Sequence, residues 1–254
     1  MRLSYLWTAF VLNTREVLRG RIVLLLLVLI PALFYAVTAL TTSLEPTAFE
    51  LGSIASDRWI SVPQRDESLV FIGLAATGLL TSFIGLKLMQ RDADVNRRLV
   101  RCGYRAHEIL AAKLAVLLCV MVAVALWVAL ALPLLFFVPE RFATMLVGYI
   151  ASGWVYGCYG MLVGAITRRE LEGILFVALL TNLDSGWLQN PVWYAEAQNQ
   201  TIIEVLPAHL PAQVAMAGAF TSEPISGAFA GSLGYGAGFL VLAISVFAWR
   251  MRRR

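Results

Sequence analysis

Residues 87–113 read KLMQRDADVNRRLVRCGYRAHEILAAK and carry seven Lys or Arg. The 43 residues from Asp184 to Ser226, DSGWLQNPVWYAEAQNQTIIEVLPAHLPAQVAMAGAFTSEPIS, carry none. Both stretches join apolar runs. Lys and Arg are unfavourable to translocate, so basic connecting segments stay on the inner side of a membrane and segments without them go out. The contrast therefore predicts a chain threaded through a bilayer, with these two stretches on opposite faces.

Working outward, five charge-free runs can cross a hydrocarbon core of ~30 Å as helices. They are Ile22–Leu40, Ser68–Leu86, Leu114–Val138, Phe142–Thr167 and Ile225–Trp249. A shorter, broken apolar stretch gives a further span over Leu171–Leu188, with Asp184 expected as a boundary residue near its outer end. Seventeen of the 20 basic residues lie in the lead 1–21, the loop 87–113, the pair Arg168–Arg169 and the tail after Trp249. The other three are Arg58, Arg65 and Arg141. Six spans with both termini cytoplasmic satisfy this distribution. The expected fold is thus an all-α, multi-pass protein of the cytoplasmic membrane, forming one domain over 1–254.

Composition agrees: 59% of residues are hydrophobic and 14% are charged, against about a quarter charged in soluble domains. The net charge of +4 flanks apolar runs and forms no patch, so nucleic acid is not an expected partner. The three cysteines, Cys102, Cys119 and Cys158, provide no external pair and imply no disulfide framework.

Between the spans, Leu3, Leu6, Trp7, Phe10, Val11, Val17 and Leu18 recur at helical spacing, which predicts an amphipathic interfacial helix over 1–21 in contact with lipid. Residues 41–67 read as a modest acidic loop. The outer segment 189–224 is proline-broken yet rich in Ile, Val and Leu, which suggests short helices, re-entrant or lying on the surface. The loop 87–113 reads as a short basic helix, a turn at Gly103 and a second helix that feeds the third span. A compact helix projecting from the membrane suits docking in a groove of another protein. Small residues recur at Gly148/Ser152, Gly153/Gly157, Gly160/Gly164, Gly227/Gly231 and Gly234/Gly238, where helix backbones can approach closely.

Catalytic patterns are sparse. The chain has no GxxxxGK[ST], no GxGxxG and no Cys/His cluster at metal-ligand spacing. An intramembrane serine protease built on Ser152 would need a histidine on a neighbouring span, and the final span has none. A secondary transporter would need mid-span ionisable groups, and Glu172 and Asp184 read as boundary residues. A non-transport assembly or immunity module remains an alternative.

The order of parts resembles the membrane permease of ABC type-2 exporters: interfacial helix, six spans, a basic helical loop between the second and third, and a broken segment before the last. The stretch NRRLVRCGYRAHEILAAKL is similar to that family's basic helix and turn, followed by an R-x-x-E-[IL]-x-x-x-K pattern that here falls on Arg105, Glu108, Ile109 and Lys113. Glu204-Val205-Leu206-Pro207 with Pro211 resembles its outer segment. The resemblance implies a permease without an ATP site of its own, paired with a second copy or a sister permease and driven by separate ATPase subunits that hold ATP and magnesium. It implies coupling to those subunits through Arg91, Asp92, Asp94, Arg97, Arg98, Arg101, Gly103, Tyr104 and Arg105. The expected activity is export of a hydrophobic or amphipathic cargo such as a drug, natural product, lipid or peptide.

Overall fold

The structure, a computed structural model, describes residues 3–51, 59–90, 105–167, 169–190, 193–194 and 197–252. Six of its helices are long and apolar enough to cross a membrane, and the protein is an all-α, multi-pass membrane protein. In chain order the elements are α1 (Leu3–Arg19), α2 (Arg21–Thr41), β1 (Pro46–Glu50), β2 (Trp59–Pro63), α3 (Gln64–Gln90), α4 (Ala106–Leu135) and α5 (Phe142–Ile166). Then come α6 (Glu170–Thr181), a π-helix (Asn182–Leu188), α7 (Gln200–Glu204), α8 (His209–Phe220) and α9 (Ser226–Arg252). The six apolar runs thus become α2, α3, α4, α5, α6 with the π-helix, and α9.

The chain packs around the pair α3 and α5. These two run in the same direction, since Tyr149 Oη donates to the Val70 carbonyl (3.1 Å) and Ser152 Oγ to the Leu74 carbonyl (3.2 Å). Small residues let them approach: an added Cβ on Gly160 would collide with the Ser82 carbonyl, and one on Gly85 with that of Gly157. In a bilayer, where lipid is as apolar as Leu, such close packing and interhelical hydrogen bonds hold helices together. From Leu69 to Leu86 nearly every α3 residue is buried, so α3 is the central helix.

Around this pair, α2 and α4 lie on one side. Tyr35 Oη of α2 donates to the Val128 carbonyl of α4 (3.0 Å) and stands over Gly73 of α3. Helix α1 packs Ala9 and Val17 inward, Val17 joining Ile84, Leu88 and Leu110, while Trp7, Leu12 and Leu18 face away. That division fits the amphipathic pattern, with the outward apolar face free for lipid.

One connection departs from the sequence reading. Instead of a loop, 41–67 holds an antiparallel hairpin in which Pro46 pairs with Pro63 and Glu50 with Trp59. Trp59-Ile60-Ser61-Val62 favours extended backbone, and the prolines sit at strand ends where missing N–H groups cost least. Phe49 anchors the hairpin, buried edge-on against Phe220 of α8 (centroids 5.9 Å apart). In the outer segment, where short helices were expected either re-entrant or on the surface, α8 is packed inside the bundle. It runs antiparallel to α5 so tightly that a Cβ on Gly148 would lie 2.5 Å from the Ala215 nitrogen. Every residue from Pro211 to Ala219 is buried.

Candidate functional site

Two polar places join several elements of the bundle. The first is where the π-helix, α7 and α8 meet α5. Tyr156 lies 14 residues after Phe142, about 21 Å along α5 at 1.5 Å per residue, and about 15 Å before Ile166. At that depth its hydroxyl donates to Asp184 Oδ2, which also accepts from the Ala208 N–H (3.1 Å). Asp184 is therefore not the boundary residue that hydropathy suggests. It is buried near the middle of α5, capping the start of α8, where a helix leaves N–H groups unsatisfied and favours negative charge. The π-helix makes this possible: its wider turn, closed by Gln189 N–H to the Asp184 carbonyl (3.2 Å), swings the carboxylate inward. Asp184 Oδ1 and Thr181 Oγ, one turn apart and both buried, have no hydrogen-bond partner among the described residues.

The network continues. Gln189 Nε2 donates to the Ile203 carbonyl (3.0 Å), which fixes the amide so that its Oε1 accepts from His209 Nδ1 (3.1 Å). His209 therefore carries a proton on Nδ1. Burial pushes its pKa below the usual histidine value, with Glu204 pulling partly the other way. Tyr194 stacks obliquely beside His209 and donates to Glu204 Oε1 (3.0 Å). Pro211 lies in the first turn of α8, where a missing N–H is harmless, and Pro207 sits just before that helix. The expected outer residues Glu204, Pro207 and Pro211 thus frame this centre.

The second place is at the opposite ends of α3, α4 and α5. Lys113, buried in α4, donates from Nζ to the Leu88 carbonyl in the last turn of α3. A cation there complements the negative end of the helix dipole. Gln90, the last residue of α3, donates from Nε2 to Thr167 Oγ1 (2.5 Å) and to the Arg169 carbonyl (3.2 Å) in the link between α5 and α6. Arg105 opens α4, its N–H donating to Glu108 Oε2 (3.1 Å), and its side chain is exposed. Of the expected coupling residues, Arg91, Asp92, Asp94, Arg97, Arg98, Arg101, Gly103 and Tyr104 lie outside the described residues. Their two anchors, Gln90 and Arg105, are both in place.

Among the described residues no group of three or more His, Cys, Asp or Glu could hold a metal. Ser152 donates to the Leu74 carbonyl and sits in the α3–α5 seam, 3.0 Å from where a Cβ on Gly78 would fall. Sequence reasoning missed Asp184, Tyr156 and Gln189 as one cluster. The only signal was an acid in a span otherwise free of charge between Gly173 and Leu188. No protein-family model matches the chain, and no curated protein matches it as a relative.

Proposed function

We propose that this protein is the membrane subunit of an ATP-driven ABC type-2 exporter, one half of a permease formed with a second copy or a sister chain. The observation that carries this reading is where the chain enters and leaves the basic stretch 91–104. It is flanked by Gln90, which ends the central and most buried span, and Arg105, which opens α4; the two helices are tied by the Lys113–Leu88 hydrogen bond. A partner that grips this segment acts on the core of the bundle, not on a peripheral helix. Helix α8, packed inside the bundle ahead of the last span, supports the same reading.

On this proposal both termini are cytoplasmic, and separate ATPase subunits bearing ATP and magnesium dock on Arg97, Arg98 and Tyr104. Closure of those subunits binds one membrane state better than the other, and that difference drives alternation. The chain has no hydrolytic role of its own, and the cargo is hydrophobic or amphipathic. The test is Arg97→Glu with Arg98→Glu: capture of the ATPase and nucleotide-driven export both fall. Unchanged capture and export contradict the assignment.

Asp184 favours a second reading. A carboxylate deep in a membrane bundle is by default a mark of an ion or proton path. In an ion-coupled transporter, Asp184→Asn abolishes gradient-driven uptake in vesicles that contain no ATP. Vesicles of the native chain that move nothing without ATP remove this reading.

A further inference from the structure

Gln90 is joined to both sides of the α5–α6 link at once. Its amide donates to Thr167 Oγ1, and Thr167 in turn donates to the Val163 carbonyl at the end of α5. The same amide nitrogen donates to the Arg169 carbonyl, the residue that precedes α6. Directly beside it, α6 carries Gly173, where an added Cβ would lie 2.5 Å from Gln90 Nε2 and 2.6 Å from Leu86 Cδ1. The lack of a side chain lets the first turn of α6 rest on the last turn of α3. From there α6 continues without a break into the π-helix, whose Asp184 holds the start of α8. A displacement of Gln90 along the bundle therefore reaches α8 through one continuous helix and one carboxylate.

We propose that Gln90 is a positioning residue of the transport cycle. It passes movement of the last turn of α3 to α6, and through Asp184 to the buried helix α8. This rests on the exporter reading above. Lys113 ties α4 to the last turn of α3 through the Leu88 carbonyl. Gln90 bonds from this end of α3 across to the α5–α6 link.

The test uses the chain reconstituted in nanodiscs with its co-purified ATPase, the three native cysteines replaced and spin labels placed at Leu179→Cys and Val241→Cys. Both positions are exposed, on α6 and α9. In the otherwise native chain the distance between labels shifts on trapping with ATP and vanadate. In Gln90→Leu, which keeps the side-chain volume and removes both hydrogen bonds, ATPase capture and ATP turnover persist while the shift falls by about half or more. A Gly173→Ala chain, which crowds the same joint while leaving the Gln90 amide, shows a smaller loss of the same kind. A full shift in Gln90→Leu overturns the inference and leaves the exporter reading standing. Absence of any ATPase with the native chain overturns both.

Discussion

Helices α5 and α9 have similar lengths, 25 and 27 residues, and each carries five glycines, yet they are packed in opposite ways. On α5 each glycine faces another element: Ala215 at Gly148, Met121 at Gly153, Leu117 at Gly157, Ser82 at Gly160 and Leu86 at Gly164. On α9 only Gly231 and Gly236 do so, against Leu210 and Trp154, while Gly227, Gly234 and Gly238 have nothing within 4 Å. The same periodicity is thus consumed within the chain in one helix and left bare in the other. Small-residue spacing says that backbones can approach; it does not say whose.

The largest effect that sharpens this contrast is Gly160→Leu. The new side chain meets the Ser82 backbone, which cannot step aside, and overpacking of this kind costs about 3 kcal/mol. Folded, monodisperse protein after detergent extraction is expected to be largely lost. Gly234→Leu, with open space around it, is expected to change stability by less than about 0.5 kcal/mol. Equal losses in thermal melts of the two variants break the comparison, because they require a packed neighbour over Gly234.

Next in size is Asp184→Ala, which removes the acceptor shared by Tyr156 of α5 and the start of α8. Leaving the buried Tyr156 hydroxyl and Ala208 N–H without their acceptor costs about 1–3 kcal/mol each, so a clear fall in Tm is expected, with Tyr156→Phe losing less. If Asp184→Ala melts with the native protein, α5 is not tied to the π-helix as described.

How much of this was legible beforehand depends on which force dominates. The spans were readable because desolvation of charge acts on every residue of a run. Phe142–Thr167 and Leu171–Leu188, for example, became helices over Phe142–Ile166 and Glu170–Leu188. The closed glycines of α5 and the open ones of α9 were not separable, because periodicity lies in one helix and packing in two. Asp184 was misread as a boundary residue because hydropathy assigns depth by position in a run. A π-helix and a buried helix end can satisfy a carboxylate further in. The hairpin was hidden by its two prolines, which read as loop until their pairing at the strand ends is known. The coupling residues Arg91 to Tyr104 lie outside the described residues, so only their anchors bear on the site.

A smaller effect concerns pH. Burial lowers the folded pKa of His209 below the unfolded value of about 6.5. The folded state then binds fewer protons than the unfolded one below that value, so this contribution is complete above it and is lost as pH falls. Tm is expected to drop between about pH 7.5 and about pH 5.5, and His209→Gln is expected to flatten that slope. An unchanged slope in the variant assigns the effect to another group.

The smallest effect is expected on α9. Tyr235 donates to the Val205 carbonyl at an exposed position (2.5 Å), so Tyr235→Phe should cost about 0.5 kcal/mol. A loss as large as that of Asp184→Ala would make α9 as firmly held as α5.

The most direct measurement for the account as a whole is mass spectrometry of the tagged chain purified in mild detergent from its native membrane. The exporter reading predicts a stoichiometric protein carrying GxxxxGK[ST], along with a second copy of this chain or another six-span chain. Recovery of the chain alone across several detergents contradicts it.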